Sequence, residues 1–240
     1  MKYDRVIQGT FIDRPNRFIA NVRIEGEGDV PDPVVRCHVK NTGRCRELLV
    51  PGTKVFLSVS DNPSRSTKYD LIAVMKGDRL INMDSQIPND TAAEGLRNIP
   101  MFSDVTEIRR EFRYGNSRID IMASSHDKKY LIEVKGVTLE DDNIVRFPDA
   151  PTERGAKHLR ELMGSVRDGY TPCVLFVIQM GDVRYFEPNT VTDPVFASTL
   201  AEAASSGVEI LAYTCKVTPD SMTLDSPVEV RLTGCREPSL

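Results

Sequence analysis

Apolar and polar residues alternate through the first part of the chain, a pattern that predicts β-strands. The apolar positions of four such segments are Phe18, Ala20, Val22 and Ile24; Val35, Cys37 and Val39; Val55, Leu57 and Val59; and Tyr69, Leu71, Ala73 and Met75. Turn-rich stretches such as "EGEGDVPDP" and "SDNPSRS" separate them. With a short fifth strand near Leu80–Asn82, residues 1–82 are predicted to form a small five-stranded barrel, the oligonucleotide-binding (OB) type being one candidate.

After "MDSQIPND" the pattern becomes mixed α and β, which predicts a second domain over residues 83–240. Asp90 or Thr91 is predicted to cap a short helix, "TAAEGLRNI". Two longer helices are predicted over about Thr152–Val166 and Pro194–Ser205. The segments "SRIDIMA", "KYLIEVKGV" and "GVEILAY" predict strands, and the continuous apolar run "PCVLFVIQM" predicts a strand covered on both faces. A mixed α/β domain with a central sheet is therefore expected.

Composition sets limits on the partners and the compartment. The net charge is −4 at pH 7, which argues against a protein coated by nucleic acid but allows a local basic surface. The cysteines, at positions 37, 45, 173, 215 and 235, form no close-spaced zinc pattern, so reduced, mostly buried thiols are expected rather than a disulfide or metal role. Because the sequence lacks a signal-like core and a run long enough to span a bilayer, we expect a soluble cytoplasmic protein.

The strand "YLIEVKGVTL" carries Glu133 and Lys135 among apolar residues, although unpaired charges are costly to bury. A symmetric hairpin around the loop Ser124–Lys129 would place Asp120 opposite Glu133, with their Cβ atoms about 5 Å apart. It would also place Arg118 opposite Lys135. Two carboxylates held that close need a divalent cation, a shared proton or a neighbouring lysine.

The trio of Asp120, Glu133 and Lys135 suits hydrolysis of a phosphodiester with Mg²⁺. The two acids would bind the metal, and the lysine would orient water or stabilise developing negative charge. The E-x-K spacing alone is weak evidence, since Asp127 and Lys129 also match it. The alternative is an ordinary half-exposed strand with an ion pair across the hairpin.

Longer segments add a resemblance to a known family. These segments are "RPNRFIANV", "CHVKNTGRCRELLVPG", "EFRYGNSRIDIM", "YLIEVKGVTL", "FPDAPTERGAKHLREL" and "GVEILAY". They resemble the sugar fermentation stimulation protein A (SfsA) family, in the family's order and over about residues 5–215. The resemblance implies an OB-like barrel followed by a mixed α/β domain similar to the PD-(D/E)xK nuclease fold. It also implies DNA binding and, in bacteria, regulation of sugar-utilisation genes.

The resemblance carries the nuclease-like pattern onto Asp120 as the "D" and onto Glu133 and Lys135 as the "E-x-K". It implies Mg²⁺ or Mn²⁺ held by Asp120 and Glu133. Gly136 follows the lysine where serine is expected, which would alter the positioning of water. The two candidates for the helix acid that often completes such sites are Glu94 and Glu111.

Two basic clusters are predicted to contact DNA. Arg14 and Arg17 flank a tight turn and Arg44 follows the flexible "NTG", at what would be the rim of the barrel. The other predicted contacts are Arg118, Arg154, Lys157 and His158, the last three on one helix face. Ordinary solvated surfaces are the alternative for both. The chain has no tryptophan, so duplex DNA held through its phosphates is favoured over stacked single strands.

Three hypotheses about function remain. The preferred one is a DNA-binding protein with a Mg²⁺-dependent nuclease site. The second is a non-catalytic DNA-binding regulator that inherited the nuclease fold, and the third is a structural module whose acidic pair binds metal for stability. Two DNA-contacting domains in one chain are also compatible with a homodimer.

Overall fold

A computed structural model describes residues 1–25, 33–41, 43–115 and 117–232. The strands are β1 Val6–Asn16, β2 Ile19–Ile24, β3 Val34–Val39, β4 Lys54–Val59, β5 Tyr69–Lys76, β6 Arg79–Asn82, β7 Glu107–Tyr114, β8 Ser117–Ser124, β9 Lys129–Val137, β10 Leu139–Asp141, β11 Ile144–Phe147, β12 Thr171–Ile178, β13 Tyr185–Pro188, β14 Glu209–Thr218, β15 Ser221–Pro227 and β16 Glu229–Val230. The helices are α1 Pro88–Gly95, α2 Glu153–Ser165 and α3 Pro194–Ser205.

Strands β1 to β5 close into the predicted barrel. Strand β1 pairs with β2 and β4, β2 pairs with β3, and β4 pairs with β5. A parallel pairing of β3 with β5, from Cys37↔Tyr69 to Val39↔Leu71, completes the ring. Ala20, Val22 and Cys37 are fully buried inside it.

Two strand assignments within the barrel differ from the prediction. The ring takes its fifth strand from β1, which the alternation did not indicate because register shifts at Phe11/Asp13 and Asp13/Asn16 break its period of two. The segment near Leu80–Asn82 does form a strand, β6, but it extends the sheet beside the second half of β5 instead of closing the ring.

The α/β domain is built on a six-stranded sheet in the order β15-β14-β12-β9-β8-β7. Strand β12 pairs in parallel with β9 and β14, so it lies in the middle of the sheet. Its alternate residues enter two different cores: Val174 and Phe176 pack with residues of α2 and α3, while Leu175 packs with residues of α1. The prediction that "PCVLFVIQM" is a strand covered on both faces is therefore confirmed.

The barrel is attached to this sheet beside the end of β9. The Gln179 side chain donates hydrogen bonds of 3.0 Å to the backbone carbonyls of Asn82 and Asp84. Lys76 of β5 binds the buried carboxylate of Glu140 at 2.6 Å. These contacts bring the barrel close to the strand that carries Glu133 and Lys135.

Two of the three predicted helices, α2 and α3, begin at or next to the residue predicted from the sequence. Helix α2 begins after Thr152, whose hydroxyl accepts a hydrogen bond from the Gly155 backbone at 3.0 Å, and α3 spans the predicted residues. Helix α1 begins earlier than predicted, at Pro88, and has no side-chain cap. The cap predicted at Asp90 or Thr91 was wrong because proline at the first helical position already starts the helix.

The described cysteines, at positions 37, 45, 173 and 215, are buried and free, as expected; Cys235 lies outside the described residues. Burial raises the pKa of Cys37 to about 12, so this thiol stays protonated. In the described part of the chain, every helix is too short or too polar to cross a membrane.

Candidate active site

Asp120 and Glu133 come together at one end of the β8–β9 hairpin. The pairs Ile121↔Ile132 and Ala123↔Tyr130 have the register predicted from the sequence. The next position along would pair Asp120 with Glu133, but regular pairing ends before it. There the Asp120 side chain accepts a 2.8 Å hydrogen bond from the backbone N–H of Val134.

Glu133 is a buried carboxylate with one occupied and one free oxygen. Its side chain is 3% exposed. Oε1 accepts a 2.6 Å hydrogen bond from the Lys135 ammonium and another from Nδ1 of His158. Oε2 is buried and has no hydrogen-bond partner among the described residues. Burial alone would raise the pKa of Glu133, but His158 and Lys135 outweigh it and hold the pKa below its ordinary value, which keeps the group ionised.

Asp120 is half-buried, and its pKa shifts in the opposite direction from that of Glu133. Burial, followed by the charge of Glu133, raises its pKa above the ordinary value. The hydrogen bond from Val134 and a 2.8 Å hydrogen bond from the Asn89 side chain oppose that shift. Asn89 lies on α1, and no sequence signal pointed to it, because its role depends on how α1 packs against the sheet.

His158 was predicted to contact DNA, yet its observed partner is Glu133. The His158 side chain is 8% exposed because α2 packs against β9 and β12. Nε of Arg154, one turn earlier on α2, donates to Nε2 of His158 at 3.3 Å. This leaves Nδ1 to carry the proton that Glu133 accepts. His158 is therefore a buried residue that orients the Glu133 carboxylate through a hydrogen bond.

The donor set fits a hard divalent cation. The two candidate ligands are carboxylates, and the unpartnered Oε2 of Glu133 is a buried acceptor that needs a donor or a cation. Mg²⁺ is commonly bound by one or two carboxylates with water in the remaining positions. The described residues contain no group of three or more His, Cys, Asp and Glu side chains that could hold a metal ion, so water would have to complete the coordination.

Neither predicted third acid is observed to join the carboxylate pair. Glu94 contacts the N-terminal ammonium of Met1. Glu111 lies on strand β7, not on a helix, and forms an ion pair of 2.7 Å with Nε of Arg118.

Gly136 has a local structural reason to be glycine. A Cβ atom there would lie 2.5 Å from Oε1 of Gln179 and 2.7 Å from Cγ of Pro88. The serine expected at this position would therefore displace the side chain that joins the barrel to the sheet.

A basic cleft of about 510 Å³ lies beside the carboxylates. The predicted DNA contacts that line it are Arg118, Arg154, Lys157 and His158. Lys157 is exposed and lies 3.8 Å from Glu161, one turn further along α2. The structure thus brings these four residues to one side of the site, although they come from two separate elements.

The barrel arginines line a second cleft, of about 520 Å³. Its walls include Arg14, Arg17, Arg44 and Arg46. The guanidinium of Arg14 donates to four backbone carbonyls, those of Arg17, Asn41, Gly43 and Arg44. Arg14 therefore holds two loops together, which leaves its guanidinium little capacity to grip a phosphate.

Known proteins agree with this architecture. Residues 86–221 match a family model described as the "Sugar fermentation stimulation protein RE domain". Residues 12–83 match one described as the "SfsA N-terminal OB domain". The chain is 52% identical over 232 residues to the sugar fermentation stimulation protein homolog of Clostridium beijerinckii, an alignment that covers 97% of this chain and 100% of the relative.

Two further similarities support the same assignment. The homolog of Ruminiclostridium cellulolyticum is 51% identical over 232 residues, covering 97% of this chain and 100% of the relative. The solved structure of Pyrococcus furiosus SfsA in complex with Ca²⁺ has a TM-score of 0.84 and 26% identity, covering 96% of this chain and 98% of that one. The predicted fold class, an OB-like barrel followed by a mixed α/β domain with a central sheet, is thereby confirmed. The chain belongs to the SfsA family.

Proposed function

We propose that this protein binds DNA and hydrolyses its phosphodiester bonds with a divalent cation held by Asp120 and Glu133. The observation that carries the proposal is the state of Glu133: it is ionised and buried, and its Oε2 lacks a hydrogen-bond partner among the described residues. A carboxylate oxygen in that condition is suited to a cation. The relative from Pyrococcus furiosus was solved with Ca²⁺, which supports a hard divalent cation here; we propose Mg²⁺ or Mn²⁺ for the reaction.

The roles of the chain's own residues follow from their contacts. Asn89 and the Val134 backbone hold Asp120, and His158 holds Glu133, so both carboxylates are oriented before a cation arrives. When bound, the cation supplies a water of lowered pKa and stabilises negative charge on the phosphate.

Lys135 is more exposed than the carboxylate it binds, with 16% of its side chain accessible against 3% for Glu133. Its ammonium has three N–H donors, of which one is directed at Glu133. The remaining donors would orient the attacking water or stabilise the charge that develops on a phosphate oxygen.

The basic cleft beside the carboxylates supports DNA as the substrate. Arg118, Arg154 and Lys157 would neutralise backbone phosphates on the way to the site. Binding through such contacts releases counterions, so we expect the affinity to fall steeply as salt is raised.

Cleavage assays with linear, circular and single-stranded DNA in Mg²⁺ or Mn²⁺ test the proposal. The variants are Lys135→Ala and, as a matched control, Lys129→Ala, an exposed lysine at the start of the same strand. We expect cutting by the wild type and by Lys129→Ala, and none by Lys135→Ala. Equal cutting by all three would point to a contaminating enzyme. If none cuts but all retard DNA on a gel, the protein is a DNA-binding regulator and the nuclease proposal is wrong.

A further inference from the structure

We propose that the open end of the barrel binds an unpaired nucleotide, with an aromatic ring stacking on its base and three arginines contacting its phosphates. The residues are Phe18, Arg17, Arg44 and Arg46, here called the rim cluster. The inference rests on the proposed function and narrows its partner to DNA that carries single-stranded nucleotides. It differs from the expectation, drawn from the lack of tryptophan, that duplex DNA held through its phosphates is favoured over stacked single strands.

Arg14 fixes the backbone that carries the rim cluster. One guanidinium nitrogen donates to the carbonyls of Gly43 at 3.0 Å and Arg44 at 2.9 Å. The other donates to the carbonyls of Arg17 at 2.6 Å and Asn41 at 2.8 Å. The β1–β2 turn is thereby tied to the segment that follows β3. Because the same group fixes the backbone at Arg17 and at Arg44, less ordering is needed when a ligand binds.

The three arginines of the rim cluster form no ion pair with the described residues, although burial and then the nearby carboxylates of Glu47 and Asp149 raise the pKa of Cys45, which lines the same cleft. Other arginines in the described part of the chain do form ion pairs with carboxylates, but the three of the rim cluster do not. With Arg14, they line a single cleft in a protein whose net charge is −4. Like charges placed together are unfavourable without a counter-charge. The planar guanidinium suits phosphate oxygens, so an anion of the nucleic-acid backbone fits this cleft.

Phe18 is the feature that indicates an unpaired base. Its side chain is 51% exposed, and the other exposed large apolar side chains of the described residues are all valines. Phe18 directly precedes β2, and its backbone carbonyl accepts a 2.8 Å hydrogen bond from the backbone N–H of the buried Val39, so this residue lies at the end of the barrel where β2 and β3 meet. The Asn16 side chain accepts a 2.9 Å hydrogen bond from the Phe18 backbone and fixes the turn.

A paired base in a duplex is already stacked on its neighbours and presents only its edges in the grooves. Within a strand, an exposed ring can therefore stack on a base only where the strand is unpaired, as in a single-stranded tail, a gap or a flap. The Arg17 guanidinium lies over one face of the Phe18 ring, 5.9 Å from its centroid, so a base would stack on the opposite face and Arg17 would contact a phosphate of the same strand.

The cleft is also connected to the carboxylate site along the chain. Ala150, in the segment between β11 and α2, lines the arginine cleft. Glu153 and Arg154, at the start of α2, line the cleft beside Glu133. A strand that follows this segment would run from the rim cluster to the carboxylates.

Fluorescence anisotropy of labelled DNA, measured in EDTA so that no cleavage occurs, tests the inference. The full-length protein is titrated into a blunt duplex, the same duplex with a single-stranded tail, and a duplex whose tail is abasic and so presents phosphates without bases. The variants are Phe18→Ala, Phe18→Tyr and Arg17→Gln. Val191→Ala, at a valine that is 93% exposed, is the control for loss of a surface apolar group.

We expect the natural tail to bind more tightly than the abasic tail or the blunt duplex. Phe18→Ala should lose about 5- to 160-fold in affinity for the natural tail, the range that stacking of one base represents, and nothing for the abasic tail. Phe18→Tyr and Val191→Ala should bind like the wild type, whereas Arg17→Gln should weaken binding to both tails.

The outcomes separate this inference from the proposed function. Equal affinity for all three DNAs, unchanged in Phe18→Ala, would overturn the rim cluster as a base-binding site while leaving DNA binding intact. A wild-type protein that binds none of the DNAs would overturn both.

Discussion

Replacement of His158 by alanine is expected to destabilise the protein and to weaken binding of a divalent cation. In the wild type the imidazole donates to the buried Oε1 of Glu133. His158→Ala removes that donor and leaves the carboxylate with Lys135 as the remaining partner of Oε1. The neighbouring Lys157→Ala is a matched control, because Lys157 is exposed on the same helix.

The size of the effect follows from the burial of Glu133. A hydrogen bond to a charged group contributes about 1.5–3 kcal/mol, and losing a buried side chain adds to this. Breaking a buried ion pair outright costs about 3–5 kcal/mol, but Lys135 stays in place and limits the loss. We therefore expect the free energy of unfolding to fall by about 2–4 kcal/mol. The control should change it by less than about 0.5 kcal/mol.

Two measurements check this prediction. Urea unfolding without metal gives the stability change, and calorimetric titration with Ca²⁺ or Mn²⁺ gives the affinity, which we expect to fall about 10- to 100-fold because a residue that orients a ligand is lost. His158→Gln, which keeps a donor, should recover part of both. If His158→Ala unfolds at the same urea concentration as Lys157→Ala, the contact with Glu133 contributes nothing and the account of the site is wrong.

Three other predictions concern the barrel, the junction and the metal. Burial alone would raise the pKa of Asp70, but Arg65, Lys40 and His38 together outweigh it and lower the pKa. The stabilisation from this carboxylate is therefore present at neutral pH and is lost below about pH 4 as the group takes up a proton. Asp70→Asn should unfold more readily at pH 7 and differ less from the wild type at pH 2, and an equal difference at both would refute this. Gly136→Ser should cost about 1–3 kcal/mol, since the new side chain would overlap Gln179, and an unchanged melting temperature would show that the junction relaxes freely. Added Ca²⁺ or Mn²⁺ should raise the urea midpoint of the wild type but not that of Glu133→Gln; equal shifts would place the cation elsewhere.

Local sequence patterns determined much of the architecture. The alternation of apolar residues and the symmetric loop gave the register of β8 with β9, because side chains in a strand have a period of two and a one-residue slip would reverse their faces. The continuous apolar run of β12 and the boundaries of α2 and α3 were equally readable. Each of these features depends on neighbours in the chain.

Other features were decided by residues that are distant in sequence. Strand β1 was missed because bulges hide its alternation, and only closure of the barrel makes it a ring strand. His158 and Arg14 read as surface cations, yet packing of α2 directs the first to Glu133, and the folding together of two loops commits the second to backbone carbonyls. The sequence by itself determined which strand carries the two charges. Tertiary structure decided which partner Glu133 has beyond its own strand, because His158 comes from α2, and burial makes that contact strong enough to matter.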